Sequence, residues 1–469
     1  MDIPGQLSSI VGVANLATGV DMARWGMDWT GKYPSTPLAV VRPGNTSEVS
    51  QIMALAHATR TPVSPVSGYT GLTGGAQSVG GLMLSLDRMN RIIEIRPEGR
   101  IAIVQAGVVL SNLHAAADAH DLIFPLTFGA RGSAMIGGVL STNAGGSNVL
   151  RYGNTRDLCL GLEVVLADGR IMNLMSELHK DNSGFNLRHL IIGAEGQLGV
   201  ITAAVMKLRP KPLAYATAMV AVPQLRDALA LLNRMQDLTG GAVEAFEYMP
   251  ANYITGHLHL FPDARAPFAE RHAVNIMIEV GATAPRDATA LPDGTIPLVS
   301  LLEATLGDML DRGTLLDAVI AQNESQRRAM WARREAAAEI MRDRSPSLDS
   351  DVAVPLDKVP DFLEQADARV KSLDPAATEF CVAHLGDGNI HYTVFPTTDD
   401  PALIDALREA IEDVVLSLHG SFSAEHGIGQ SKLDSMKRRK DPVALDVMRA
   451  IKAALDPLGI LNPGKVIPD

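Results

Sequence analysis

Residues 62–76 read PVSPVSGYTGLTGGA, and this stretch decides how the rest of the chain is read. Val63, Pro65 and Val66 are expected to form a short buried strand. Ser67, Gly68, Thr70, Gly71, Thr73 and Gly74 follow, each a glycine or a small hydroxyl residue, and Gly75 closes the run. A backbone with so few Cβ atoms turns sharply and can aim successive N–H groups at one point, as a pyrophosphate requires. The hydroxyls of Ser67, Thr70 and Thr73 are further donors. The spacing is neither GxGxxG nor GxxxxGK(S/T), so neither a Rossmann nor a P-loop reading follows. A plain turn between two strands is the competing reading.

Working outward, residues 35–213 alternate between strands and helices. Residues 38–41 suit a strand, and Thr46 or Ser47 is placed to cap a helix that turns Val49, Ile52, Met53 and Ala56 to one face. Short strands are expected at 82–86, 91–95 and 101–105, and a helix over 109–120. A second glycine-rich segment, TFGARGSAMIGGVLSTNAGGSNVLRYG, fills 127–153. Two such loops in one alternating region suggest a long ligand lying against backbone at two places. GLEVVLADG at 161–169 reads as a strand entering an Asp-Gly turn. GAEGQLGVITAAVMKL follows as a further small-residue turn feeding a strand.

The composition bounds the function. A chain of 469 residues is long enough for two or three domains. A net charge of −12 argues against nucleic acid or an anionic membrane as partner. Cys159 and Cys381 are the only cysteines, which rules out a disulfide framework or a cysteine metal cluster. The N-terminus lacks a cationic leader pattern and no apolar run reaches membrane-spanning length, so a cytoplasmic location is expected.

PVSPVSGYTGLTGGA, GARGSAMIGG, STNAGGSNVLRYG, GLEVVLADGRI and KDNSGFNLRHLIIGAEGQLGVIT together resemble the FAD-binding half of vanillyl-alcohol-oxidase-type flavoproteins. Within that group the chain is most similar to the D-2-hydroxyglutarate dehydrogenases, with D-lactate dehydrogenases and the glycolate oxidase flavin subunit as neighbours. The resemblance implies an α+β chain: a two-subdomain FAD domain over 1–212 (core 35–212), a cap over 213–430 with an antiparallel sheet, and a tail over 431–469 that returns to the FAD domain. It implies that Ser67, Gly68, Thr70, Gly71, Leu72, Thr73, Gly74 and Gly75 wrap the pyrophosphate. Gly129, Ser133, Gly137, Gly138, Thr142, Asn143, Gly145, Gly146 and Tyr152 would line the rest of the cofactor, with Gly199, Ile201 and Asn462. Neither loop holds a His or Cys, so the flavin is expected to be non-covalent. A homodimer is a further expectation.

Past Pro210 the pattern predicts strands at 215–222, 243–248 and 273–280, a helix at 224–238 and a surface loop over 281–297. Helical segments at 298–311 and 315–343 follow. A strand at 350–354, a helix at 359–372 and a strand at 378–384 complete the cap.

HLGDGNIH, residues 384–391, is the second informative stretch. If Asp387-Gly388 is a two-residue hairpin turn, His384 faces His391 across the strands with Cβ atoms about 5 Å apart. Both imidazoles then reach one metal ion; a longer loop would loosen that geometry. Glu425, in AEHGIG, completes a set of two His and one carboxylate, which suits an open divalent site. In the family the residues matching His384, His391 and Glu425 ligate the metal, and the residue matching His426 is the base. Zinc is the expected ion, with manganese as the alternative.

Arg334, in WARRE, matches the family's carboxylate-binding arginine, although its spacing alone reads as a solvated helix face. Departures from the hydroxyglutarate enzymes stand at Ala338, Asp349 and Thr393, where that group has Thr, Lys and Asn. Lys432 is assigned to replace the missing lysine, with Thr393 and Asn389 completing the substrate contacts. The implied activity is oxidation of a small D-2-hydroxy acid by hydride transfer to FAD, the electrons passing on to electron-transfer flavoprotein or a quinone.

Overall fold

The computed structural model describes residues 2–342 and 344–469, which form two compact units. One comprises Met1–Gly145, Gly153–Pro210 and His426–Asp469; the other comprises Gly146–Tyr152 and Lys211–Glu425.

Two main sheets build the first unit, beside a two-stranded pair of Leu122–Ile123 with Arg209–Pro210. In the smaller, the strands run in the order Leu16–Ala17, Ala39–Val41, Leu82–Ser85, Val63–Val66. Its last three strands are parallel. The helix Thr46–Thr59 connects two of them and buries Val49, Ile52, Met53 and Ala56, as the pattern requires. Its cap is Asn45, whose side chain accepts from the Glu48 N–H at 3.0 Å. Thr46 and Ser47 are already inside the helix, because Asn45 offers the better acceptor at the turn. The C-terminal tail lies along Val63: its N–H donates to Ile460 O, and Asn462 N–H donates to Val63 O, both at 2.8 Å. The larger sheet is antiparallel, in the order Ile92–Arg96, Ile101–Gln105, Val200–Lys207, Cys159–Val165, Ile171–Leu174.

The second unit is built on a seven-stranded antiparallel sheet. Its order is Asp317–Ile320, Ala214–Val222, Val274–Ala282, Val243–Pro250, Thr378–His384, Asn389–Phe395, Leu348–Ala353. Strand alternation divides its residues between two faces. Phe246, Tyr248, Ile276, Ile278, Ile390, Tyr392 and Val394 pack on one side with the helices Leu225–Thr239, Pro297–Asp311, Val359–Leu373 and Pro401–Ser417. Met249, Met277, Phe380, Val382 and Phe395 share the other side, and so do the polar residues interleaved with them. Residues 315–343 are not one helical segment. Asp317–Ile320 is an edge strand on Ala214–Val222, and helices Glu324–Glu335 and Ala337–Met341 follow. Asn323 stops the strand and caps the helix by accepting from Gln326 N–H at 3.0 Å. The helix Ala251–Leu260 was not expected from the sequence.

Candidate flavin and metal site

In the first unit, residues 62–76 and the 127–145 part of the second glycine-rich segment pack on each other, and this accounts for part of their glycine content. A Cβ on Gly68 would overlap the Ser133 carbonyl oxygen; on Gly137 it would stand 2.8 Å from Ala106 Cβ, and on Gly138 3.3 Å from Ser67 Cβ. Gly74 needs its freedom for φ +70° beside the Tyr33 ring. At Gly68, Gly137 and Gly138 the missing side chain is required by the contact between the loops. Gly71 and Gly129 differ, since a Cβ on either would enter open space.

The remaining positions assigned to the cofactor hold varied places. Thr73 is buried, and its hydroxyl donates to His426 O at 3.3 Å. Thr142 donates to Gly138 O at 3.1 Å, and Asn143, at φ +52°, accepts from Arg156 N–H at 2.9 Å. Gly145 ends the first unit's leading segment, and Gly146 opens the insert that packs with the second unit. Tyr152, in that insert, donates to Glu244 Oε1 at 2.7 Å. Gly199 is closed off by Val164 Cγ1, 2.5 Å from where its Cβ would stand, and Ile201 is buried in the five-stranded sheet. Asn462 donates from Nδ2 to Gly75 O at 2.8 Å and to Glu195 O at 2.7 Å, while its buried Oδ1 has no partner. An unsatisfied buried acceptor beside the first glycine loop, with an open flank at Gly71, fits a bound polar cofactor.

In the second unit, the 384–391 hairpin is wider than expected. His384 pairs with Asn389 and Val382 pairs with His391, so residues 385–388 form the loop. The N–H groups of Asp387 and Gly388 both donate to His384 O, and Asp387 Oδ1 accepts from Asn389 N–H at 3.1 Å. These bonds close a longer turn than the two-residue type. His384 and His391 become diagonal neighbours on one face, yet their rings still meet, with centroids 5.5 Å apart and planes at 80°. One donor atom each from His384, His391 and Glu425 lies within 4.8 Å of the others. Donors about 2.1 Å from a tetrahedral ion stand about 3.4 Å apart, so this trio could hold a divalent ion after a small closure. Two imidazoles and a carboxylate suit zinc or manganese.

Two buried carboxylates that the sequence reading passed over organise this trio. Glu247 accepts from His384 Nδ1 at 2.9 Å and from Arg334 Nε at 2.7 Å. Holding Nδ1 in this way leaves Nε2 as the atom that could face an ion, and Nε2 lies 4.0 Å from Glu425 Oε1. Burial works against the charge on Glu247, but His384 and Arg334 hold its carboxyl below the ordinary range. Burial also pulls the His384 imidazole down, and Glu247 more than offsets it, leaving a pKa of about 8 in the metal-free site. Removal from water pushes Glu425 up to about 7, aided by Asp351 and Asp387 and opposed by His384. The second organiser, Asp351, accepts from Glu425 N–H at 2.9 Å and Asn389 Nδ2 at 3.0 Å, and lies 3.8 Å from His391 Nδ1. The sequence signal for Glu247 was a pair of acids, Glu244 and Glu247, inside a largely apolar strand, VEAFEYM.

The arginines of helix Glu324–Glu335 are not a solvated face. Arg327 pairs with Glu279 through two bonds of 2.7 Å, and Trp331 Nε1 donates to the same carboxylate at 2.9 Å. Residues 327, 331 and 334 share one helix face, so this anchor aims Arg334 at Glu247. Arg328 alone fits the solvated reading, at 77% side-chain exposure. Among the assigned substrate contacts, Asn389 is committed through Nδ2 to Asp351 and to Val352 O. Thr393 donates to Asp349 at 3.1 Å. Lys432, in the first unit, is the residue before helix Leu433–Arg439 and acts electrostatically on Glu195.

The family described as FAD linked oxidases, C-terminal domain, matches residues 211–466, and an FAD binding domain family matches 37–175. This chain belongs to the FAD-linked oxidase family. The flavoprotein is 36% identical to the mitochondrial D-2-hydroxyglutarate dehydrogenase of Bos taurus over 94% of its own length and 79% of that relative. It is 34% identical to D-2-hydroxyglutarate dehydrogenase of Xanthomonas citri pv. viticola, over 95% and 92% of the two chains. Among solved structures, substrate-bound p-cresol methylhydroxylase aligns at TM-score 0.73 with 17% identity, covering 100% of this chain and 96% of that one. Alkyldihydroxyacetonephosphate synthase aligns at 0.73 with 18% identity, covering 99% and 86%. The fold is the vanillyl-alcohol-oxidase type, α+β, and the protein is an FAD-dependent oxidoreductase. Among the described residues, no helix is long and apolar enough to cross a membrane.

The open flank at Gly71 makes a clean test of the first glycine loop. In Gly71→Val the new Cβ meets no protein atom within 4 Å, and the native φ is not in the left-handed region. We expect it to fold and to weaken FAD retention by an overpacking cost of about 1–3 kcal/mol, roughly one to two powers of ten in Kd. Stoichiometric flavin after gel filtration would remove the loop from the cofactor site.

Proposed function

We propose that this flavoprotein oxidises a small D-2-hydroxy acid, D-2-hydroxyglutarate being favoured, to the 2-oxo acid. The observation that carries the proposal is the His384–His391–Glu425 trio beside the Glu247–Arg334 pair, in a chain related over most of its length to enzymes named for that acid. When bound, FAD supplies the hydride acceptor, and a divalent ion lowers the pKa of a hydroxyl at its open positions.

The chain's own residues divide the remaining work. His384, His391 and Glu425 hold the ion, and Glu247 and Asp351 keep them in register. Arg334, its charge balanced by Glu247, takes the substrate carboxylate; a planar guanidinium suits that group. His426, the next residue after Glu425, takes the hydroxyl proton, and a neutral imidazole of ordinary pKa about 6.5 is an adequate base for an activated hydroxyl. Electron-transfer flavoprotein or a quinone would be the onward electron acceptor. A cytoplasmic setting and zinc as the ion belong to the same proposal.

A second reading, a D-lactate dehydrogenase or a partner-dependent glycolate-oxidase-like subunit, is favoured by one observation. Asp349 and Thr393 face each other one step along the strands from the Asp351–His391 pair, and they bond to each other. An acid there opposes a second carboxylate on the substrate. The test compares kcat/KM for D-2-hydroxyglutarate and D-lactate in wild type and Lys432→Ala. The main proposal expects hydroxyglutarate to be preferred and Lys432→Ala to harm it more than lactate. Preference for lactate, or equal losses, promotes the second reading.

A further inference from the structure

Glu195 is a buried carboxylate that the proposed chemistry does not use. It sits in GAEGQLG at φ +49° with its side chain turned toward the 427–429 segment. Its two oxygens accept from Ile428 N–H at 2.8 Å and Gly429 N–H at 2.9 Å. The carboxylate also explains Gly427, where a Cβ would stand 2.7 Å from Glu195 Oε1. The Glu195 carbonyl accepts from Asn462 Nδ2, which also donates to Gly75 O. From the other side Thr73 grips the same segment. Its hydroxyl donates to His426 O, and its carbonyl accepts from Gln430 N–H at 2.8 Å and Ser431 N–H at 3.2 Å. Val466 N–H closes the ring on Gly429 O at 2.9 Å.

We propose that Glu195 is a positioning residue for the His426 segment. With Thr73 and Asn462 it makes the first glycine loop, the 426–431 segment and the C-terminal tail one hydrogen-bonded unit. Elements that hold the flavin phosphates thereby also fix where His426 sits. The physical case is one of valence. Two adjacent backbone N–H groups aim at one point, and a carboxylate supplies an acceptor for each. A glutamine of the same shape supplies one oxygen and turns an N–H₂ toward the other donor.

This inference rests on the assignment of His426 as base only for its catalytic half, and the experiment separates the two. Holoenzyme carrying Glu195→Gln is compared with wild type for amide hydrogen exchange at residues 428–429, metal content, and anaerobic flavin reduction per bound FAD. We expect faster exchange at those amides, unchanged metal stoichiometry, and a reduction rate lowered about 10- to 100-fold with little change in KM, as for a displaced reacting group. Thr73→Val, which removes the hydroxyl bond to His426 O while keeping the shape, is expected to show the same signature more weakly. Unchanged exchange at 428–429 in Glu195→Gln overturns the anchoring. Faster exchange with wild-type reduction overturns the positioning role. If His426→Ala itself reduces flavin normally, the base assignment fails instead, and the exchange result still reports on Glu195.

Discussion

Removing the divalent ion, by chelation or by His391→Ala, is expected to abolish turnover while leaving the flavin spectrum intact. The proposed supports are separate: residues 62–76 and 127–145 of the glycine-rich segments lie in one unit, and the proposed metal donors His384, His391 and Glu425 lie in the other. Loss of one ligand of three leaves His384 and Glu425 to hold the ion, and both have further attachments of their own. His384 is tied to Glu247 at 2.9 Å, and the Glu425 backbone is tied to Asp351 at 2.9 Å. The variant should therefore fold with its remaining donors in place. Charge stabilisation by a metal is worth several kcal/mol in the transition state, which at 1.36 kcal/mol per tenfold is about 10³-fold in rate. Elemental analysis and a steady-state assay decide the outcome. An active preparation without stoichiometric divalent metal would falsify the assignment of these residues.

How much of this was legible in the sequence depended on whether the signal was local. The helix Thr46–Thr59 and the strands of both units followed from periodicity, because burial of one face is written in the spacing of apolar residues. The edge strand Asp317–Ile320 was missed because an edge strand gains its identity from a partner far away, here Ala214–Val222. His384 and His391 were brought together by a hairpin argument whose register was wrong. The rings meet all the same, because diagonal neighbours share a face as directly opposed residues do. Arg334 was named through resemblance while its spacing suggested solvent. What buries it is Glu247 on a strand almost ninety positions earlier, and no local pattern carries that pairing. The packing share of the glycine content was likewise not local: what excludes a side chain at Gly68 and Gly137 is Ser133 and Ala106, far away in the sequence.

The adjacent pair Glu425 and His426 supplies the sharpest division of labour. Glu425→Gln is expected to lower metal content, since a neutral amide is a poorer ligand than a carboxylate and cannot balance the ion's charge. The carboxylate's environment sets how it binds. Burial pushes Glu425 up to about 7, and a divalent ion reverses that cost by pairing with it. His426→Ala, by contrast, leaves His384, His391 and Glu425 in place and removes the proposed proton acceptor. The Thr73 hydroxyl grips the His426 carbonyl, not its ring, so the backbone of the segment survives the substitution. The expected result is normal metal and flavin content with flavin reduction slowed about 10²- to 10⁴-fold, the usual range for loss of a general base. Rapid-mixing reduction under anaerobic conditions reads this step alone. If His426→Ala reduces its flavin at the wild-type rate, the base lies elsewhere. If it loses its metal, the two residues share one role and the division drawn between them is wrong.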